Sequence, residues 1–190
     1  MQQQSSLSRR ARPHLLWVSL LVAASVVFSL GFACATPLAA FGAAAALMSS
    51  RREALALILS VWFANQLVGF TMLGYPWTAS TFAWGVAVGA PAVLATLAGQ
   101  WTASRSSDAA RVVSFLATGL AAFAAYEAAL FVVAAAWLGG AEDFTAAILA
   151  RIFVINAAAF VGLLVLHRIA VSIGLAANRA IPLGITESRA

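Results

Sequence analysis

Lysine is absent, cysteine occurs once, histidine occurs twice, and charged residues make up only 9% of the 190 positions. Each scarcity excludes something. One cysteine, Cys34, rules out an internal disulfide and any cysteine-built metal cluster. The two histidines, His14 and His167, cannot by themselves assemble a His-rich metal site. A soluble domain carries about 25% charged residues, so this chain is not an ordinary soluble domain. No phosphate-cradling loop occurs, and no nucleophile or metal constellation points to an enzyme. No cofactor is expected. The eleven arginines give a formal net charge of +5. They lie mostly at the ends of apolar segments, where they set orientation, which argues against nucleic-acid binding.

What the chain has in excess is apolar sequence: 63% hydrophobic residues and a mean hydropathy of +0.96. The polar, basic start from Met1 to Pro13 followed by an apolar run has the look of a signal peptide. Further apolar segments follow, so the run reads as a retained first helix. A spanning helix needs roughly 20 apolar residues. The pattern predicts six: His14–Ala33, Pro37–Ser50, Glu53–Leu73, Ser80–Trp101, Arg111–Leu138 and Phe144–Leu175. Thr36-Pro37 breaks the first apolar run, with Thr36 as N-cap and Pro37 in the first helical position. Gly74-Tyr75-Pro76-Trp77 ends the third helix. The expected fold class is an all-α integral membrane protein, a compact six-helix bundle. Residues 1–13 and 176–190 would be tails and 14–175 the membrane domain.

An even number of spans puts both termini on one side. Arg9, Arg10, Arg12, Arg51, Arg52, Arg105, Arg111, Arg168, Arg179 and Arg189 then share that side, and the opposite loops carry Glu142 and Asp143. The positive-inside rule makes the arginine side cytoplasmic, as in a bacterial-type inner membrane.

Two charges break the pattern by falling inside apolar segments, Glu127 and Arg151. Ionised groups in hydrocarbon are costly and usually face a partner or a cavity. Counting inward at 1.5 Å per residue places Asn65 and Gln66 roughly 12 Å below the outer end of their helix. Trp84 falls roughly 6 Å down, Arg151 roughly 10 Å and Glu127 roughly 16 Å. With Tyr75, Trp77 and Thr81, these residues predict an outward-facing, aromatic-walled pocket of the small-molecule type. Plain readings stand beside this one. Glu127 and Arg151 can be a structural ion pair, Asn65 and Gln66 interhelical glue, and Trp17, Trp101 and Trp137 members of an interfacial belt. Asn156 lies about 140° around its helix from Arg151 and reads as a packing residue. Cys34 reads as a small packing residue beside the first outer turn.

Ala35-Thr36-Pro37-Leu38-Ala39, Val61-Trp62-Phe63-Ala64-Asn65-Gln66 and Gly74-Tyr75-Pro76-Trp77-Thr78 are the local segments that carry a resemblance. With its size and topology, the chain resembles the substrate-binding S components of energy-coupling factor (ECF) vitamin transporters over about Pro13 to Leu175. The resemblance implies six helices, cytoplasmic termini and an outward-facing site. It further implies a vitamin-like or heterocyclic small-molecule substrate and a transmembrane coupling subunit with ATPases as partners. Members carry a small-residue patch on the first helix that packs against the coupling subunit, for which Ser19 and Ala23 are the nearest match here. The alternatives are a self-contained small-solute permease or channel, with Glu127 carrying protons, and a non-transport membrane assembly protein.

Overall fold

The computed structural model of the chain describes residues 2–32, 36–105 and 111–176, with side chains over 16–31, 36–105 and 112–176. The expectations about Cys34, the 106–110 segment, the tail beyond 176, His14 and the side chains of Arg9, Arg10, Arg12 and Arg111 lie outside the described residues. Those residues form an all-helical protein with six α-helices. They are α1 (Gln2–Phe32), α2 (Leu38–Met48), α3 (Arg51–Thr71), α4 (Ala79–Arg105), α5 (Arg111–Val133) and α6 (Ala146–Ser172). Helix α5 continues as a π-helical turn, Ala134–Leu138, and a short 3-10 turn, Ala141–Asp143, leads toward α6.

Four of these segments are long and apolar enough to cross a membrane: Arg51–Thr71, Ala79–Arg105, Val112–Leu138 and Ala146–Ser172. The sequence leads one to expect six. The first two helices differ for different reasons. The segment expected as a tail is helical from Gln2, but the apolar part of α1 is confined to Leu16–Gly31. Helix α2 has 11 residues and is about 16 Å long, half of a hydrocarbon core of about 30 Å.

Helix α2 is short because it is the axis of the bundle rather than one of its staves. It touches α3, α4, α5 and α6, and every residue from Leu38 to Ala46 is buried. A helix apolar on all sides belongs inside. Its run of alanines around Gly42 lets the surrounding helices approach closely. A side chain at Gly42 would begin 2.9 Å from Thr96 Oγ1 and 3.2 Å from the Thr96 amide nitrogen. Phe28 of α1 meets Phe41 edge-on, with ring centroids 6.1 Å apart.

The caps follow local chemistry. Ser50 and Glu53 form a capping box that starts α3, with the Ser50 amide and hydroxyl donating to Glu53 Oε2 at 3.0 and 2.7 Å. Thr145 caps α6 by accepting from the Ile148 amide. The expected Thr36 cap on α2 does not form. Pro37 occupies the cap position, and Asn156 of α6 takes over, its Oδ1 accepting from the Ala40 amide at 3.0 Å. Asn156 is thus a tether between α6 and the start of the central helix, not generic packing.

Candidate functional site

The shortness of α2 leaves a recess. Thr36, at the start of α2, accepts a hydrogen bond from Asn65 Nδ2. Asn65 lies six positions before the end of α3 at Thr71, about 9 Å along the helix. The central helix therefore stops well below the rim formed by its neighbours. The space above it is a cavity of about 210 Å³. Thr36 and Leu38 form its floor. Asn65 and Gln66 of α3, Thr81, Trp84, Gly85 and Val88 of α4 and Tyr126 of α5 form its walls, and Tyr75 of the α3–α4 turn closes one side. Backbone that ends inside a membrane bundle is tolerated where it lines a cavity, which is the situation at Thr36.

The walls are drawn together by glycines. Gln66 Oε1 lies 2.7 Å from where a Cβ on Gly85 would sit, and Trp62 Nε1 lies 2.7 Å from the same position on Gly89. The Trp62 indole donates to the Gly85 carbonyl at 2.8 Å. Trp62 therefore clamps α3 to α4 and keeps out of the cavity. Tyr75 folds back onto Gly69, whose missing side chain makes room for the phenol ring. Thr81 is oriented by a 2.9 Å hydrogen bond between its hydroxyl and that of Thr78. Trp84 is flanked by Gly140 of the α5–α6 segment, at positive φ, where a Cβ would meet its ring edge at 3.8 Å.

Asn65 is held by a chain of side chains reaching into α1. Thr36 Oγ1 is 3.1 Å from Ser29 Oγ, and the Ser29 hydroxyl donates to the Ser25 carbonyl at 2.9 Å. Ser25 and Ser29 are buried.

Of the eight residues that the sequence singles out for binding, five line this cavity: Asn65, Gln66, Tyr75, Thr81 and Trp84. Three do not. Trp77 is 74% exposed and packs at tilted and edge-on angles against Phe70 and Phe82 outside the cavity, at centroid distances of 5.1 and 5.8 Å. Arg151 is exposed on α6. Glu127 is buried, and its Oε2 has no hydrogen-bond partner, so Arg151 does not bond to that oxygen. Its neighbour Tyr126 faces the cavity instead.

Sequence reasoning missed Tyr126, Leu38, Val88 and Gly85 as lining residues, and took Thr36 as a helix cap. One signal was available for Tyr126. The chain has two tyrosines, and both line this cavity. Phenols combine an apolar ring with a polar tip, so a buried one in a membrane helix needs a polar destination.

No family model, curated protein or solved structure matches this chain. The chemistry must therefore be read from the cavity. None of its lining side chains carries a formal charge, and its polar atoms are amides, hydroxyls, phenols and an indole. Such a set can hydrogen-bond and stack against a small molecule. Gln100 Oε1, Thr118 Oγ1 and His167 Nδ1 are also buried without partners. They lie toward the opposite ends of α4, α5 and α6 and contribute nothing to this cavity.

Proposed function

We propose that this protein captures a small vitamin-like or cofactor-like molecule from the outer side of a bacterial-type inner membrane and delivers it inward as an ECF-type S component. In this reading both termini are cytoplasmic and the recess above α2 faces outward. The observation that carries it is that recess: about 210 Å³, aromatic on two sides, with amides from adjacent residues of α3. A mostly pre-formed cavity with a few convergent polar groups is the usual form of a small-molecule site. The central helix supports capture over a self-contained channel. From Leu38 to Ala46 it fills the axis directly beneath the cavity with buried apolar residues. Delivery would then need a partner that moves or deforms the bundle, since the chain has no nucleotide-binding loop of its own.

Ser19 and Ala23, suggested by the resemblance as the coupling surface, are both exposed on α1, on the side where Leu20 and Val27 are also exposed. Small side chains there permit close helix approach. Ser19→Leu with Ala23→Leu is expected to abolish uptake in cells while purified protein still binds ligand. Normal uptake by this double variant would remove α1 as the coupling face.

The central test is mass spectrometry of small molecules retained by the purified protein. A stoichiometric compound retained by wild type and lost in Asn65→Leu supports capture. Its absence from protein purified out of a host that makes many vitamins would overturn the proposal.

A further inference from the structure

A hydrogen-bond chain through the serines of α1 stands behind Asn65 of the recess. Hydroxyl groups carry one proton each, so the hydrogen-bond chain behind Asn65 can be counted. Ser29 Oγ lies 2.9 Å from the Ser25 carbonyl, which only accepts, so the Ser29 proton is spent there. In the 3.1 Å contact between Ser29 Oγ and Thr36 Oγ1, the proton must then come from Thr36. With its own proton given to Ser29, Thr36 Oγ1 can only accept from Asn65. The Asn65 amide is therefore locked with its NH2 toward Thr36. Its carbonyl oxygen, Oδ1, is the end left over, with no hydrogen bond inside the protein among the described residues. The two ends of an asparagine amide differ only in hydrogen-bonding sense, and here the relay decides which end is left unpaired.

We propose that the recess selects an uncharged, planar, bicyclic nitrogen heterocycle bearing an N–H donor, which Asn65 Oδ1 accepts while Trp84 stacks on the ring. The inference rests on the capture reading above and narrows its substrate class. Size supports it: a cavity of about 210 Å³ exceeds the roughly 150 Å³ that accepts a single benzene ring, which leaves room for a second fused ring. Charge supports it as well. With no ionised lining side chain, a carboxylate, phosphate or ammonium group would be desolvated without a counter-charge. Arg151 and Glu127 do not supply one, because neither lines the recess.

The decisive comparison uses three defined probes on one bicyclic frame: quinazolin-4-one, which has a ring N–H; 3-methylquinazolin-4-one, in which that donor is blocked; and quinazoline-2-carboxylate, an anion. Binding to the full-length protein in detergent would be followed by quenching of tryptophan fluorescence. The N–H probe is expected to bind at least about tenfold tighter than either other probe, because a blocked donor leaves Asn65 Oδ1 unpaired. Ser29→Ala provides the second arm. It lies outside the cavity and releases the Thr36 proton, so that the Asn65 amide can turn over. This variant is expected to keep binding but to lose most of the preference for the N–H probe. Equal affinity of the two neutral probes for wild type, tighter binding of the anion, or no binding of any probe at millimolar concentration would overturn the inference. Full selectivity in Ser29→Ala would overturn the relay as its cause. None of these outcomes touches the capture reading, which stands or falls on the retained native compound.

Discussion

At the scale of single residues, the chain separates two kinds of tryptophan that look alike in sequence. Trp77 and Trp84 are both near the α3–α4 turn, yet one is packed outside with Phe70 and Phe82 and the other lines the recess. Replacing each by alanine should therefore have different consequences. Trp84→Ala is expected to weaken ligand retention about tenfold, the scale of one lost stacking contact on a buried ring. Trp77→Ala should leave retention within about twofold of wild type and change only stability or membrane seating. The same titration measures both. Arg151 gives a companion test. Because it is exposed on α6, Arg151→Gln is expected to leave ligand binding and thermal stability nearly unchanged. A large loss of binding would return Arg151 to the site. Counting depth along the helix brings Asn65 and Gln66 to one level, and the structure places both on one cavity. Arg151 is instead exposed and off the cavity, as a long cation near a helix end can extend toward the interface without entering the bundle.

At the scale of elements, the central fact is that α2 depends on its neighbours. Its first amides find no side-chain cap within its own segment, and Asn156 reaches across from α6 to the Ala40 amide. Asn156 Nδ2 also donates to the Ile152 carbonyl at 3.0 Å, which fixes the rotamer that makes the tether. Asn156→Leu should therefore destabilise the protein by about 1–3 kcal/mol, the cost of leaving a buried amide unpaired. Thermal unfolding in detergent would check this, and a neutral effect would mean that water or a rearranged α2 satisfies the amide. The glycines of α4 belong to the same scale. Gly85 and Gly89 are four residues apart, a small-residue spacing common in alanine-rich membrane helices. In the fold, Gly89 receives the Trp62 ring and Gly85 the Gln66 amide, so they set the spacing of two cavity walls. Gly89→Leu is expected to push α3 from α4, lowering both stability and ligand retention, with overpacking costing about 1–3 kcal/mol. Periodicity could not have singled these glycines out, because alanine and glycine are abundant throughout the chain and only the facing side chains distinguish them.

At the scale of the whole molecule, hydropathy and the placement of arginine predict an arrangement that can be tested without a ligand. In a Cys34→Ala background, single cysteines at Ala141 and Ser50 should react with a membrane-impermeant reagent from opposite sides, Ala141 from outside. Labelling from one side would refute the orientation on which the proposed function depends. The all-helical class and the four long apolar helices were legible from the sequence, because hydrocarbon length and the need to satisfy every backbone amide leave few other solutions. The sequence by itself also determined that a polar patch lies near the Thr36, Asn65 and Tyr75 segments, since those residues interrupt otherwise apolar runs. Only the tertiary structure decided that α2 is a buried axis ending below its neighbours, and that its early end opens the recess. It also decided that Tyr126, not Glu127, faces that recess. The physical reason is the same in each case. Depth along a helix follows from counting residues, but the direction a side chain faces, and the height at which one helix stops against another, depend on which surfaces pack together. In a chain this rich in alanine, many faces are equally apolar, and only contacts between distant segments choose among them.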